Sequence, residues 1–436
     1  MNNYNENSMI DLEKVVRTDI DFPKVVESLV STHNIIFSGN TFYLYANGYF
    51  RLCEDKTIEK KIWELLGEKI SSYAIREVIA LLKIKTDIPI TELNCGDIFN
   101  LKNCIVEILP SGGVQTYEHL PELLSTRRFD IEYNPEAKCE NWIKVVNEIL
   151  EDDENKVNLL QEYFGLCLTR DMRQEKALFL LGEGANGKSV MLFVLQELLG
   201  ESNYSTLSVG NFKEKHALEC LVGKLANIST ETTANGIIED SNFKAIVSGD
   251  AIYIEPKFKK GFSYRPFCKL IFALNTMPKT NDRTDAFFRR MLIVKFNKQF
   301  PDFEQDKTLK YALLNELDGI FNWCLGGLLR LRERGGFYIS KEMQDEIFEF
   351  KKDNNTVLGF LEEDCRYDSA GVISKSELYK AYQAWCGDNG SYALGKNNFG
   401  KEIKKLKNVT DGKDSNERIW IGIKWRERTI ITNKEM

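Results

Sequence analysis

The residues best suited to chemistry form one run, Gly182-Glu183-Gly184-Ala185-Asn186-Gly187-Lys188-Ser189, which fits G-x-x-x-x-G-K-[ST] at every fixed position. Glycines let consecutive backbone N–H groups turn inward around a phosphate. A helix starting at the end of the run adds partial positive charge. Lys188 then reaches the β- and γ-phosphates, and the Ser189 hydroxyl ligates Mg²⁺. Val190 opens the helix and completes the nucleotide-binding candidates. The bland alternative is a glycine turn between a strand and a helix. A chance match in a chain this long is on the order of one in a hundred, so ATP with Mg²⁺ is the better reading.

Other candidates follow in chain order. An apolar stretch over 221–231 reads as a strand ending in Glu231, roughly forty residues after Lys188. An acid there holds the Mg²⁺ water shell and polarises the attacking water. Ser189 and Glu231 are therefore the metal candidates. Thr230 stands where a second acid is common, which leaves Glu231 to act alone. A fully apolar strand over 269–275 ends in Asn275 and places an amide near the γ-phosphate. Arg289 and Arg290 follow 14 and 15 residues later, as candidates for an arginine finger on the transferring phosphoryl. A solvent-exposed strand-end glutamate and ordinary surface arginines stay open as alternatives.

Positioning these groups takes a strand over 177–181, a helix over 190–199 and further strands at 221–231, 269–275 and 291–296. Between them, 251–265 reads as a β-hairpin with its tip near Lys259-Lys260-Gly261. Residues 257–269 hold Lys257, Lys259, Lys260, Arg265 and Lys269, with no acid. Cations beside Phe258, Phe262 and Tyr264 suit a phosphate backbone with stacked bases. A solvated basic hairpin is the plain alternative. Lys257, Lys259 and Lys260 are the DNA-binding candidates.

Upstream, 34–37 and 41–50 read as strands joined by a turn at Ser38-Gly39-Asn40. Residues 58–66 and 72–84 have helical spacing, 100–108 reads as a strand, and 142–150 and 157–168 read as amphipathic helices. Downstream, 309–332 and 340–351 read as helices. The tail resembles a winged helix. Ser374 to Glu377 form a capping box, 397–407 reads as a helix with Phe399, Ile403 and Leu406 on one face and Lys401, Lys404 and Lys405 mostly on the others, and 419–425 reads as a wing-like strand. A basic helix followed by a hairpin suits duplex DNA, and suits a protein-docking module equally.

The 436 residues allow two to four domains and carry a net charge of −7. A nucleic-acid partner must therefore be met by a local basic feature. No apolar run approaches the roughly 20 residues of a membrane span, and Met1 to Met9 do not read as a signal peptide. The ten cysteines are scattered without C-x-x-C, and there are three histidines. This argues against zinc and suits a reducing cytoplasm.

The ordered set Gly184 to Ser189, Ser229-Thr230-Glu231, Val247 to Asp250, Ala273 to Pro278 and Asp285 to Arg290 resembles the helicase superfamily III ATPases. It is most similar to the C-terminal helicase part of phage, plasmid and poxvirus-type primase-helicases. The likeness covers roughly 100–390 and implies an α/β AAA+ core. It also implies a homo-oligomeric ring, a hexamer, moving 3′→5′ on single-stranded or forked DNA. ATP would lie between subunits with the arginine supplied by a neighbour, and the basic hairpin would line the channel. A separate primase or other replication proteins are expected partners, and no membrane is.

The resulting division is an N-terminal mixed α/β module over 1–105, a helical pre-ATPase region over 106–170 and an ATPase core over 171–300. A helical region over 301–360 and a winged-helix-like domain over 361–436 complete it. The expected function is an ATP-dependent replicative helicase of a phage or mobile element. An origin-melting initiator or loader, a P-loop nucleotide kinase and a non-enzymatic DNA-binding scaffold are the alternatives.

Overall fold

The computed structural model describes residues 20–230, 237–258, 260–414 and 417–426. Its residues group into two compact units that interleave in sequence. One comprises Met1–Trp142, Val194–Asn203 and Tyr311–Leu329, and the other Ile143–Phe193, Tyr204–Lys310 and Arg330–Met436.

The first unit opens with helix Phe22–His33, whose N-cap Asp21 accepts from the Lys24 amide. Strands Ile35–Ser38, Thr41–Ala46 and Tyr49–Cys53 then form an antiparallel sheet. The expected single strand over 41–50 is in fact two. Asn47 and Gly48 lie at φ 54° and 86°, which makes an Asn-Gly pair a two-residue hairpin turn. The anticipated turn at Gly39-Asn40 has the same character, at φ 56° and 62°. Helices Asp55–Leu66 and Ser72–Lys85 close this module over Val26, Leu29, Phe42, Ile58, Ile62, Val78 and Leu82.

A second sheet, Ile98–Asn100, Ile105–Ile108 and Val114–Tyr117, splits the expected strand over 100–108. The region expected to be helical from 106 becomes α-helical only at Glu140. Pro110, Gly112, Gly113, Pro121 and Pro135 interrupt the preceding chain, and both residue types disfavour helix interiors.

The second unit is built on five parallel strands, β1 (Ala177–Leu181), β2 (Tyr204–Ser205), β3 (Ala226–Ser229), β4 (Lys269–Leu274) and β5 (Met291–Lys295). Their order is β5-β1-β4-β3-β2. β1, β4 and most of β5 are buried along their length, as expected for strands covered on both faces. Phe179, Phe243, Phe272, Phe287 and Met291 sit in the core. β3 is shorter than the expected 221–231, because Ala217–Leu221 is a 3₁₀ turn and Gly223 adopts φ 76°. Helix Asp240–Ser248 is capped by Glu239 and ended by Gly249 at φ 68°.

The last part of this unit runs helix Thr356–Asp364, strand Cys365–Ser374, helices Lys375–Asp388 and Lys396–Lys404, and strands Thr410–Asp414 and Glu417–Trp425. The Glu417–Trp425 strand lies between the other two in an antiparallel sheet. Tyr382 stacks on Phe399 at 4.6 Å between ring centroids, above Phe360, Ile403 and Trp420. Ser374 caps the Glu377 amide, as its position in the sequence suggests.

Candidate nucleotide site and basic hairpin

Parallel strands bring all their carboxyl ends to one edge, where open α/β sheets bind ligands. β1 delivers the loop 182–187 to that edge, and helix Lys188–Leu199 leaves from it. Leu274 pairs with Leu181 and Phe272 with Ser229, so Asn275 and Thr230 emerge beside Gly182. Glu231 lies outside the described residues.

Two loop glycines are required by space. A Cβ on Gly182 would lie 2.5 Å from Asn186 Nδ2 and 2.6 Å from the Phe296 carbonyl oxygen. On Gly187, at φ 81°, it would lie 2.3 Å from Ile149 Cδ1. Gly184 faces open space, and Ala185 takes the left-handed region at φ 59°.

Lys188 is nearly buried, at 6 % exposure. Its ammonium donates to the carbonyls of Gly182 at 2.6 Å and Glu183 at 3.1 Å, and to Asn186 Oδ1 at 2.9 Å. Asn186 Nδ2 in turn donates to the Glu183 carbonyl. The loop is thus closed on its own lysine by neutral oxygens. Burial lowers the Lys188 ammonium to about 8. A cation held this way suits an incoming anion.

These groups open onto a cavity of about 640 Å³ lined by Gly184, Ala185, Asn186, Gly187, Lys188, Ser189, Val190, Thr230 and Asn275. Its other wall comes from Val145, Glu148 and Ile149 and from Phe300, Glu304, Gln305, Asp306, Lys307 and Leu309. The Phe300 amide donates to the Ala185 carbonyl at 2.8 Å, and Gln299 Nε2 to Glu183 Oε2 at 3.1 Å, fixing the segment after β5 to the loop. None of this second wall was named from the sequence. Phe300 and Leu309 are ordinary apolar residues there, and only their place against the loop makes them lining groups.

The two candidate arginines part company. Arg290 is 9 % exposed and donates to Ser248 Oγ at 2.8 and 3.1 Å and to the Ala286 carbonyl. Arg289 has a side chain 64 % exposed, 3.7 Å from Glu175. Met291 pairs with Ala177, so both arginines precede β5 at the amino end of the sheet. Lys188 follows the carboxyl end of β1. Four residue steps of strand separate the two ends, about 13 Å.

The hairpin expected at 251–265 is present, with Ile252–Ile254 antiparallel to Phe262–Tyr264. Its arms approach closely, since a Cβ on Gly261 would lie 2.4 Å from the Tyr253 hydroxyl. Phe258 is 96 % exposed, and the Lys257 ammonium lies 5.3 Å from its ring centroid. Lys257, Lys260 and Arg265 are exposed, and Lys259 lies outside the described residues. Lys269 does not belong with them. It is 2 % exposed, and its ammonium donates to the carbonyls of Thr169 and Phe267. As the first residue of the central strand β4, it is carried inward by the sheet.

Three family models match the chain in succession. "D5 N terminal like" covers residues 27–151, a "Family of unknown function (DUF5906)" covers 180–290, and "Poxvirus D5 protein-like" covers 352–435. Two of these models are of D5 type, so the chain is similar to D5-type proteins toward both of its ends.

Curated relatives of the chain include viral proteins. "Putative helicase L207/L206" of Acanthamoeba polyphaga mimivirus is 26 % identical over 186 residues, covering 37 % of this chain and 19 % of that protein. "Putative helicase 022R" of Frog virus 3 (isolate Goorha) is 21 % identical over 257 residues, covering 53 % and 26 %. The chain thus accounts for about a fifth to a quarter of the length of these two relatives. Its fold is similar to the apo C-terminal region of NrS-1, with a TM-score of 0.54 at 13 % identity over 91 % of this chain and 98 % of that one. The α/β core with its parallel sheet is common ground with that structure. Among the described residues, no helix is long and apolar enough to cross a membrane.

Proposed function

We propose that this chain is an ATP-dependent DNA helicase of superfamily III. In this reading it acts as a ring, a hexamer, that moves 3′→5′ on single-stranded DNA during replication of a phage or mobile element. The observation that carries the reading is the placement of Arg289. It is exposed at the amino end of the sheet, about one strand length, ~13 Å, from the loop at the carboxyl end. An arginine side chain of one subunit does not bridge that span, whereas the arginine of an adjoining subunit is free to meet this loop. The β5-β1-β4-β3-β2 order fits the AAA+ core, and the helix–strand–helix–helix–strand–strand order after 356 fits a winged helix.

MgATP fits the residues present. The loop is cleared of Cβ atoms where it turns, and a buried ammonium is held there by three neutral oxygens. Bound there, it supplies the phosphoanhydride whose hydrolysis drives movement. Gly182 to Gly187 turn their amides toward the phosphates. Lys188 leaves Asn186 to neutralise charge, and Ser189 and Val190 open the helix beneath. Ser189 is the Mg²⁺ ligand, Glu231 is the acid that supports the metal's water shell and activates water, and Asn275 orients the γ-phosphate. Arg289 acts in trans, while Arg290 braces its own subunit. Lys257, Lys259 and Lys260 grip DNA.

The test is ATP hydrolysis with and without single-stranded DNA, joined to unwinding of duplexes tailed at either end. DNA-stimulated hydrolysis lost in Lys188→Ala, with unwinding from one tail polarity, supports the motor. Hydrolysis without unwinding supports an origin-melting initiator instead. Mixing Lys188→Ala with Arg289→Ala subunits should restore some activity if each site is shared between neighbours.

A further inference from the structure

The proposed chemistry sets two of its groups on one stretch of chain. Asn275 follows β4 and lines the nucleotide cavity, and Arg289 precedes β5. Residues 276–288 between them hold only a short strand, Lys279–Thr280, and one helical turn, Asp285–Phe288. That strand pairs only with Ile237–Ile238. Asn281, Asp282 and Asp285 are residues of turns rather than of a core. Regular structure alone therefore does not fix where Asn275 points.

One residue from far along the chain holds the middle of this stretch. The Thr280 amide donates to Asn354 Oδ1 at 2.9 Å, and Arg283 Nε donates to the Asn354 carbonyl at 3.2 Å. Asn354 Nδ2 donates to the Phe350 carbonyl at 2.8 Å, which fixes the end of the amide that faces Thr280. Asn354 is the C-cap of helix Lys341–Asp353, at φ −94° and ψ −2°, a conformation that most residues adopt in turns. Its neighbour Asn355 turns to the last part of the unit. It is buried, caps the Val357 amide at 3.1 Å and donates to Glu402 at 3.3 Å. Two consecutive asparagines thus serve the stretch on one side and the elements after 356 on the other.

Packing leaves this work to hydrogen bonds. Asn275, Met277 and Lys279 line a second cavity, of about 430 Å³, whose other wall includes Phe350 and Asn354. The stretch spans open space there, and Asn354 bridges it. Other ties hold the stretch as well: Thr280 Oγ1 donates to Asp240 at 2.7 Å, Lys244 pairs with Asp282 at 2.6 Å, and Lys351 pairs with Asp285. The last of these comes from the same helix end as Asn354. The cavity also decides what a substitution does. Water fills the place of a lost side-chain oxygen beside the Thr280 amide, so removing that oxygen costs position more than fold.

We propose that Asn354 is a positioning residue for ATP hydrolysis. By holding Thr280 and Arg283 it sets where Asn275 meets the γ-phosphate, and it does so from the junction at which the last part of the unit begins. The proposal rests on the reading of the first cavity as an ATP site. It concerns the rate of the chemical step and not nucleotide binding, because Asn354 lines the second cavity and not the first.

The experiment joins steady-state hydrolysis, calorimetric titration with a non-hydrolysable ATP analogue and thermal melting, all on the full chain. Asn354→Ala should lower kcat by about tenfold to a hundredfold, the effect of a small misplacement at a reacting centre. KM, analogue affinity and melting should stay as in wild type. Asn354→Asp retains an oxygen for the Thr280 amide and should keep most of the rate. In an Asn275→Ala background, Asn354→Ala should cost little more, since both changes act through one group. Hydrolysis that is lost in Lys188→Ala but kept in full by Asn354→Ala overturns this proposal alone. A wild type that hydrolyses no ATP overturns the ATP reading and this proposal with it. Parallel losses of melting temperature and analogue affinity in Asn354→Ala, or additive losses in the double variant, mark a merely structural role and overturn it too. So does an Asn354→Asp variant that loses as much rate as the alanine variant.

Discussion

Arg290 and Ser248 are tied together inside one chain: the guanidinium donates twice to the serine hydroxyl, at 2.8 and 3.1 Å. That pair joins the start of β5 to the end of helix Asp240–Ser248. Its neighbour Arg289 has no comparable tie and is 64 % exposed beside Glu175. Adjacent residues of one type thus face opposite tasks.

The first prediction follows from that difference. Arg290→Ala should destabilise the fold by about 1–3 kcal/mol, as expected when buried hydrogen-bonding groups lose their partner. Arg289→Ala should melt like wild type while hydrolysis by the assembled protein falls by about 10³-fold or more, the size of an arginine-finger contribution. Thermal melting and steady-state hydrolysis on both variants check it. Equal melting of the two would contradict the assignment.

Gly187 offers a steric test. An added methyl would meet Ile149 Cδ1 at 2.3 Å in a residue already at φ 81°. Gly187→Ala should therefore push the loop and Ile149 apart and abolish the nucleotide binding that wild type shows. Titration calorimetry with a non-hydrolysable ATP analogue compares the two.

The lysine makes nucleotide binding pH-dependent. Burial holds Lys188 at about 8, below its ordinary 10.5. The charged form is thus disfavoured in the ligand-free fold. That penalty is fully present below about 8 and is relieved as pH rises from 8 toward 10.5, so this group makes the fold more stable with rising pH across that window. A bound triphosphate restores the charged form, so binding at pH 8 should take up about half a proton, and binding near pH 6.5 almost none. Calorimetry in buffers of different ionisation enthalpy measures the uptake. Lys188→Met should lose the uptake.

The hairpin tip predicts an aromatic contribution to DNA binding. Phe258 is 96 % exposed beside Lys257, so Phe258→Ala should cost the fold nothing. It should lower single-strand affinity by about 1–3 kcal/mol, the worth of one stacked base. Lys257→Ala/Lys260→Ala should instead act through salt, reducing the slope of affinity against ionic strength. Lys269→Ala should behave differently from both. It removes a buried group that holds the Thr169 and Phe267 carbonyls, and should appear as lost stability.

The loop 182–189, its strand and its helix were legible because their signal is local: glycine where the backbone must turn, then lysine and serine at the helix start. Asn275 was legible for a related reason, since an apolar run that ends abruptly in a polar residue marks a strand end. Asn47-Gly48 was missed although the pair is a strong turn signal, because the aromatic run on both sides reads as one strand. Lys269 was misplaced because a basic run in sequence says nothing about which of its members the sheet carries inward.

By itself, the sequence determined a glycine-rich loop ending in lysine and serine between a strand and a helix, an ordered series of polar strand ends, a basic hairpin and a likeness to one helicase class. Each depends on residues close together in the chain, where spacing and backbone geometry decide. Only the tertiary structure decided which arginine is buried and which lysine of the basic run 257–269 is buried. It alone supplied the cavity's second wall, from Val145, Ile149, Phe300 and Leu309. Those outcomes depend on strand order and on side chains far apart in sequence competing for the same space, which packing settles and local spacing does not.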